Sequence, residues 1–206
     1  MPPPVFYLIA GPNGAGKSSL YRAAVADGLI PAKVEFVNAD LHEAAKLRHI
    51  ADPQVRSEKA RFWADARRTA LLKAGTTFVS ETVFSHESKL TLIAEAKRNG
   101  FAVVMLVVCL DNTKQLLARV QRRVQEGGHH VPAERILARY PRTLNHLGLA
   151  VRMADMAILF DTGNAREDAI SPPRRLAVCR GDETKVLAKV LPEWARKVLG
   201  GKLNTP

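Results

Sequence analysis

Val5-Phe6-Tyr7-Leu8-Ile9-Ala10 runs straight into Gly11-Pro12-Asn13-Gly14-Ala15-Gly16-Lys17-Ser18-Ser19, and the reading of this junction decides the fold. A stiff apolar run ends on three glycines, a proline and a cation. A tight turn would account for the glycines and the proline but has no use for Lys17. The stretch satisfies G-x-x-x-x-G-K-[ST], in which backbone N–H groups wrap phosphate oxygens, the lysine reaches the β/γ-phosphates and the serine hydroxyl serves Mg²⁺. Side chains in place of the glycines would obstruct that approach. Both flanks suit the motif: residues 5–9 read as a buried strand, and residues 17–27 have helical spacing, with the helix N-terminus aimed at the anion. Residues 11–19 are therefore expected to cradle ATP or GTP, with Lys17 on the phosphates and Ser18 on Mg²⁺.

Around this loop the chain has 206 residues, 47% of them hydrophobic, enough to bury the core of one ordinary domain. Met1-Pro2-Pro3-Pro4 carries no basic residue, and the apolar run behind it is too short for a signal peptide. The longest apolar run, Phe101 to Leu110, has ten residues, well short of a membrane span. The expectation is a soluble, cytoplasmic protein. Cys109 and Cys179 both sit in apolar runs and read as buried small hydrophobes, and no Cys/His spacing suggests zinc.

Strand-like runs at 5–9, 34–38, 76–80, 101–110 and 156–160 alternate with helical spacing at 17–27, 41–74, 86–99, 112–126 and 132–149. Near-continuous apolar strands between helices indicate an α/β fold with a mostly parallel sheet of about five to six strands, covered on both faces. Pro53 is expected to split 41–74 into two helices. Ser171-Pro172-Pro173 marks a break, so residues 1–170 form the main domain and 171–206 a basic extension, packed on or flanking it, with an edge strand at 176–180 and a helix at 184–199.

Ligands of open α/β sheets bind beyond the carboxyl ends of the strands, and there stand Asp40, Glu81, Asp111 and Asp161. Each could simply cap the following helix. Asp111 and Asp161 are assigned to capping or to a nucleotide loop. Asp40 and Glu81 follow the strands expected beside the phosphate loop. Asp40 is the candidate general base for a substrate hydroxyl, and Glu81 the candidate ligand of substrate or of Mg²⁺-bound water.

The formal charge of +11 is uneven. Residues 112–142 contain seven Lys/Arg and two Glu, and residues 171–206 eight Lys/Arg and three Asp/Glu. In the first segment Leu116, Leu117, Val120 and Val124 form an apolar stripe with Arg119, Arg122 and Arg123 elsewhere on the helix. Beyond Gly127-Gly128, Ile136, Leu137, Tyr140, Leu144 and Leu147 form a second stripe, with Arg135, Arg139 and Arg142 at i, i+4 and i+7. Pro141 should kink this helix. A solvated helix would interleave acids. An arginine-rich lid, about 119–135 and hinged at Gly127-Gly128, could instead close over a triphosphate. His129 and His130 beside the hinge read as plain loop residues.

The ordered motifs LIAGPNGAGKSS, FVNAD, FVSETVFSHESKL and RVQEGGHHVPAERILARYPRTL resemble the zeta-toxin-like P-loop kinases, over about residues 4–165. The resemblance implies a P-loop kinase fold and phosphorylation by ATP or GTP, in the zeta toxins of a hydroxyl on a UDP-activated amino sugar. Where such a toxin is paired, it implies inhibition by a protein antitoxin. Carried over by position, Lys17 and Ser18 serve phosphate and Mg²⁺ and Asp40 is the base. Glu81 and Thr82 lie on the substrate side, and the transfer arginines are among Arg119, Arg123, Arg135 and Arg139. The competing class is a nucleotide-dependent nucleic-acid-binding or regulatory module. The three Tyr and two Trp are scattered and offer no stacking motif for it.

Overall fold

The computed structural model describes residues 2–126, 131–163 and 171–203. The elements in chain order are β1 (Val5–Ala10), α1 (Lys17–Ala26), β2 (Glu35–Val37), α2 (Ala39–Lys46), α3 (Pro53–Lys73), β3 (Phe78–Thr82), α4 (Ser88–Arg98) and β4 (Ala102–Cys109). They continue with α5 (Thr113–Gln125), α6 (Ala133–Met153), β5 (Met156–Asp161), β6 (Arg174–Arg180), β7 (Glu183–Val186) and α7 (Glu193–Leu199). The sheet order is β2-β3-β1-β4-β5-β6-β7. The first five strands are parallel and the last two antiparallel.

The α/β class and the parallel core are as expected from sequence, and the sheet is wider, with seven strands. The added strand is β7, whose residues Glu-Thr-Lys-Val are mostly exposed and carry no apolar alternation from which a strand could be read. The expected helix over 184–199 is corrected accordingly: it is β7, a connection, and the short α7. Pro53 does divide the long helical stretch, and Asp52 caps α3 by accepting from the amides of Gln54 and Val55.

Two apolar layers flank the sheet. One joins Phe6, Phe78 and Met105 to α3, α4 and α7, and Phe6 and Phe78 stack with centroids 4.6 Å apart. The other joins Ile9 and Leu106 to Leu20 of α1 and Leu116 of α5. Helix α6 serves both, with Ile136 in the second layer and Leu144, Leu147 and Val151 in the first. Each fully buried side chain of this size is worth about 1.5–3 kcal/mol. The register sets the functional edge: Ile9 lies beside Glu81 and Leu106, and Ala10 beside Thr82 and Val107. The turn leaving β1 therefore emerges next to the acidic end of β3.

Residues 171–203 enter the same sheet and core. Leu176, Ala177, Trp194, Ala195, Val198 and Leu199 are all buried in the first layer. Asp111, expected to cap α5 or to serve a nucleotide loop, accepts from the amides of Glu193 and Trp194 at the start of α7 and does not cap α5. Asn112 caps α5. Asp161 is no cap either: its carboxylate accepts from Trp194 Nε1 at 3.1 Å and from Arg174 at 3.3 Å. Both cysteines are free and buried, and the thiol of Cys109 is pushed up to about 12 by burial.

Candidate nucleotide and phosphoryl-transfer site

The loop between β1 and α1 needs its glycines for contact as well as for conformation. A Cβ on Gly11 would stand 2.0 Å from the carbonyl oxygen of Val108, and one on Gly14, at φ +80°, would stand 2.4 Å from that of Leu116. The loop is thereby pressed onto β4 and α5. At the start of α1, Gly16 supplies no side-chain cap and the first turn holds no acid, so the amides there are arranged for an external anion.

Lys17 is buried, donates from Nζ to the Pro12 carbonyl at 3.1 Å, and stands 3.9 Å from Glu81 Oε1. Burial holds its ammonium below the usual lysine range, against the opposing fields of Glu81 and Asp40. Ser18 Oγ donates to Glu81 Oε2 at 3.4 Å, and Asn38 Nδ2 to the same oxygen at 3.0 Å. Burial raises the Glu81 carboxyl above the ordinary range, with Lys17 as the main counterweight.

Asp40 was open to a capping role, which the structure corrects. The cap of α2 is Asn38, whose Oδ1 accepts from the Leu41 amide at 3.1 Å. Asp40 lies in the first turn, more than half exposed, with its Oδ2 3.5 Å from a guanidinium nitrogen of Arg123. Asn38 thus caps the helix that presents Asp40 and also holds Glu81. FVNAD carries this signal, since Asn is among the strongest caps.

Thr82 is half-buried at the end of β3. Its carbonyl accepts from the Gly11 amide at 3.3 Å and its hydroxyl from the Phe84 amide at 3.3 Å. Phe84 is buried with φ +63°, a conformation that a bulky residue holds only when its surroundings enforce it.

Arg119 donates to Thr162 twice, to the hydroxyl at 3.1 Å and to the carbonyl at 2.7 Å, and Thr162 Oγ1 donates to the Ala15 carbonyl at 2.9 Å. These bonds tie α5, the end of β5 and the phosphate loop together. A cavity of about 630 Å³ opens over the loop, and Lys17, Ser18, Glu81, Arg119, Arg123 and Thr162 are among its lining residues. Arg135 and Arg139 are not among those described lining it. They sit on α6, where burial, then Arg135 and Arg142, hold the Arg139 guanidinium below its usual range. Gly127, Gly128, His129 and His130 lie outside the described residues. Arg122, expected in the arginine-rich lid, also lines the cavity, and so do Arg22 and Thr162, which sequence reasoning missed. Arg22 was legible, one turn beyond Ser18 on the helix that starts at the phosphate loop.

Ser18 and Glu81 offer oxygen donors of the kind Mg²⁺ takes. Among the described residues no group of three or more His, Cys, Asp or Glu could hold a metal. The residues therefore fit an ion held mainly by phosphate and water, with the protein supplying one or two oxygens.

A phosphate loop at the head of parallel strands ordered β2-β3-β1-β4-β5 defines a P-loop nucleotide-binding domain of the kinase type. Residues 6–147 match the AAA domain family (AAA_33), and the chain belongs to that family. An uncharacterized protein of Haemophilus influenzae is 29% identical over 142 residues, covering 66% of this chain and 91% of the relative. Among solved structures, one from the PezAT chromosomal toxin–antitoxin system of Streptococcus pneumoniae is similar at TM-score 0.57 and 13% identity, over 84% of this chain and 72% of that one. The AvrRxo1-ORF1:AvrRxo1-ORF2 complex is similar at TM-score 0.65 and 18% identity with sulphate ions bound, and at 0.61 and 19% with ATP. Each alignment covers 89% of this chain, which spans about three-fifths of the AvrRxo1 chain: 61% and 60%. The fold matches the zeta-toxin-like resemblance read from the motifs. Among the described residues no helix is long and apolar enough to cross a membrane.

Proposed function

We propose that the chain is a small-molecule kinase that transfers the γ-phosphoryl of ATP to a hydroxyl of a small anionic acceptor, such as a UDP-activated amino sugar. The observation that carries this reading is the convergence of two carboxylates and a lid guanidinium on the phosphate loop. Glu81 lies 3.4 Å from Ser18 Oγ and 3.9 Å from Lys17 Nζ, and Asp40 lies 3.5 Å from Arg123. A loop built only to bind and release nucleotide has no need of an exposed carboxylate opposite it.

In this reading the amides of residues 11–19 and Lys17 hold the phosphates of ATP, with GTP as the other nucleotide to test. Ser18, with Glu81 behind it, would hold Mg²⁺, which neutralises charge on the β/γ-oxygens when bound. Asp40 accepts the proton of the acceptor hydroxyl as its oxygen attacks phosphorus. Being largely exposed, it can reach an acceptor without displacing core groups. Glu81 and Thr82 form the acceptor side. Arg123 and Arg119 neutralise charge developing on the transferred group, and closure of the lid brings Arg135 and Arg139 toward it. The similarity to chains solved from two-protein systems supports a protein antitoxin as partner.

The test is incubation of the full chain with γ-labelled ATP or GTP and a panel of nucleotide sugars, nucleosides and RNA. Label on a nucleotide sugar is the expected result, dependent on Lys17 and Asp40. Hydrolysis without label on any acceptor would overturn the reading.

A further inference from the structure

The two serines that follow Lys17 leave α1 in different directions, as neighbours on a helix diverge by about 100°. Ser18 Oγ donates to Glu81. Ser19 Oγ accepts from Arg22 Nη2 at 3.3 Å, and Ser19 and Arg22 both line the cavity over the phosphate loop. The first bond of α1 runs from the Leu20 amide to the Gly16 carbonyl at 2.9 Å, so the amides of Lys17, Ser18 and Ser19 lie ahead of it and have no carbonyl of their own helix to meet. An anion seated on them has Glu81 to one side and Arg22 to the other. Arg22 is exposed, and among the described residues its guanidinium meets a neutral hydroxyl and no carboxylate. Glu126, the other acid lining the cavity, is engaged by Arg122 at 3.0 Å.

We propose that Arg22 binds the α-phosphate of the nucleotide, at the end of the polyphosphate that carries the ribose. The proposal rests on the kinase reading and deepens it, adding to the nucleotide side of that site a residue outside the phosphate-loop motif. The polarity follows from the reaction. The γ-phosphoryl must face Asp40 and Glu81, so the phosphate left on the Ser19 side of the first turn is the α-phosphate. A guanidinium suits it, because its forked N–H groups match two phosphate oxygens, and exchanging the Ser19 hydroxyl for phosphate replaces a neutral acceptor by a charged one. Arg22 stands on a helix that Leu20 and Ala24 anchor in the core, whereas Arg119 and Arg123 reach the cavity from α5. The nucleotide is thereby held from two sides, and its ribose end is fixed to the scaffold that carries Lys17.

The test titrates the full chain by calorimetry with AMP-PNP and with ADP, each with Mg²⁺. Both ligands carry the α-phosphate, and only AMP-PNP has a group in the γ position. Arg22→Gln is expected to weaken both by the same factor, about tenfold for a lost charge-assisted hydrogen bond. The Tm of the ligand-free protein should not change, because the position is exposed. Arg22→Lys keeps the charge but loses the fork, and its affinities should fall between those of the wild type and Arg22→Gln. Unchanged affinity for both ligands in Arg22→Gln overturns the assignment, and so does an equal loss accompanied by a lowered Tm. A larger loss for AMP-PNP than for ADP also overturns it, since that pattern belongs to a contact with the γ position or to a field over the whole polyphosphate. In each of these cases wild-type binding of the two ligands leaves the kinase reading standing. Failure of the wild type to bind either ligand overturns that reading, and the assignment with it.

Discussion

Glu81 combines burial with charge, and that combination has a measurable sign. Its carboxyl is held above the ordinary range by burial, so folding disfavours the ionised form. Stability contributed by the protonated group is present below the unfolded value and is lost as pH rises through the folded one. Relative to wild type, Glu81→Gln should therefore gain stability as pH rises through the folded value toward pH 7, offset by the loss of the charge opposite the buried Lys17. The gain should vanish below about pH 4, where the carboxyl is protonated in both states. Phosphoryl transfer should fall in the same variant, and calorimetric scans at the two pH values, with a transfer assay, check both halves. Asp40 makes the opposite case, since it is exposed and holds neither cap nor core. Asp40→Asn should leave stability and Mg-ATP affinity close to wild type while transfer falls about 10²- to 10⁴-fold, the usual worth of a general base. A loss of Mg-ATP affinity would make Asp40 a metal ligand instead. At this scale the phosphate loop was legible because local rules dictate its residues: glycine at close approaches, lysine at phosphate. The Arg119–Thr162 pair was not, because it joins positions 43 apart in the chain that only the sheet brings together.

Beside its apolar packing, α5 makes polar contacts to both sides of the site. Arg123 reaches Asp40 on α2 and Arg119 reaches Thr162 after β5, so α5 spans the cavity between the two ends of the parallel sheet. Bound triphosphate offers these guanidiniums stronger partners than a half-exposed carboxylate or a threonine. Mg-ATP should accordingly slow amide exchange in residues 113–126 and 131–139, as well as in 11–19. Hydrogen exchange measured with and without nucleotide distinguishes this from protection confined to the loop, which would mean that α5 and α6 are a solvated face. The arginine-rich segment was legible as a distinct stretch, from the absence of interleaved acids. Which of its arginines face the cavity was not, because the apolar stripes of α5 and α6 fix their buried sides but not how the two helices sit on the sheet.

Across the whole molecule, the last described segment is structural support for the nucleotide end. Trp194 donates to Asp161, Asp111 caps α7, and the residue after Asp161 is the threonine that ties Arg119 to the phosphate loop. Trp194→Phe keeps an aromatic ring in the core but leaves a small cavity and a buried carboxylate oxygen without its donor, and should cost at least about 1–3 kcal/mol in denaturant titration. Nucleotide affinity should weaken with it under native conditions. Unchanged stability would show that Arg174 alone suffices for Asp161. The sequence break at Ser171-Pro172-Pro173 hid this arrangement, since a polar, proline-rich step reads as a boundary whether the chain leaves the core there or returns to it. The antiparallel return also sets an order of events during synthesis. Strand β5, with Ile158, Leu159 and Phe160 buried in the finished protein, is translated before β6 exists to pair with it. Until that hairpin emerges, β5 is an open apolar edge able to recruit strands from other chains.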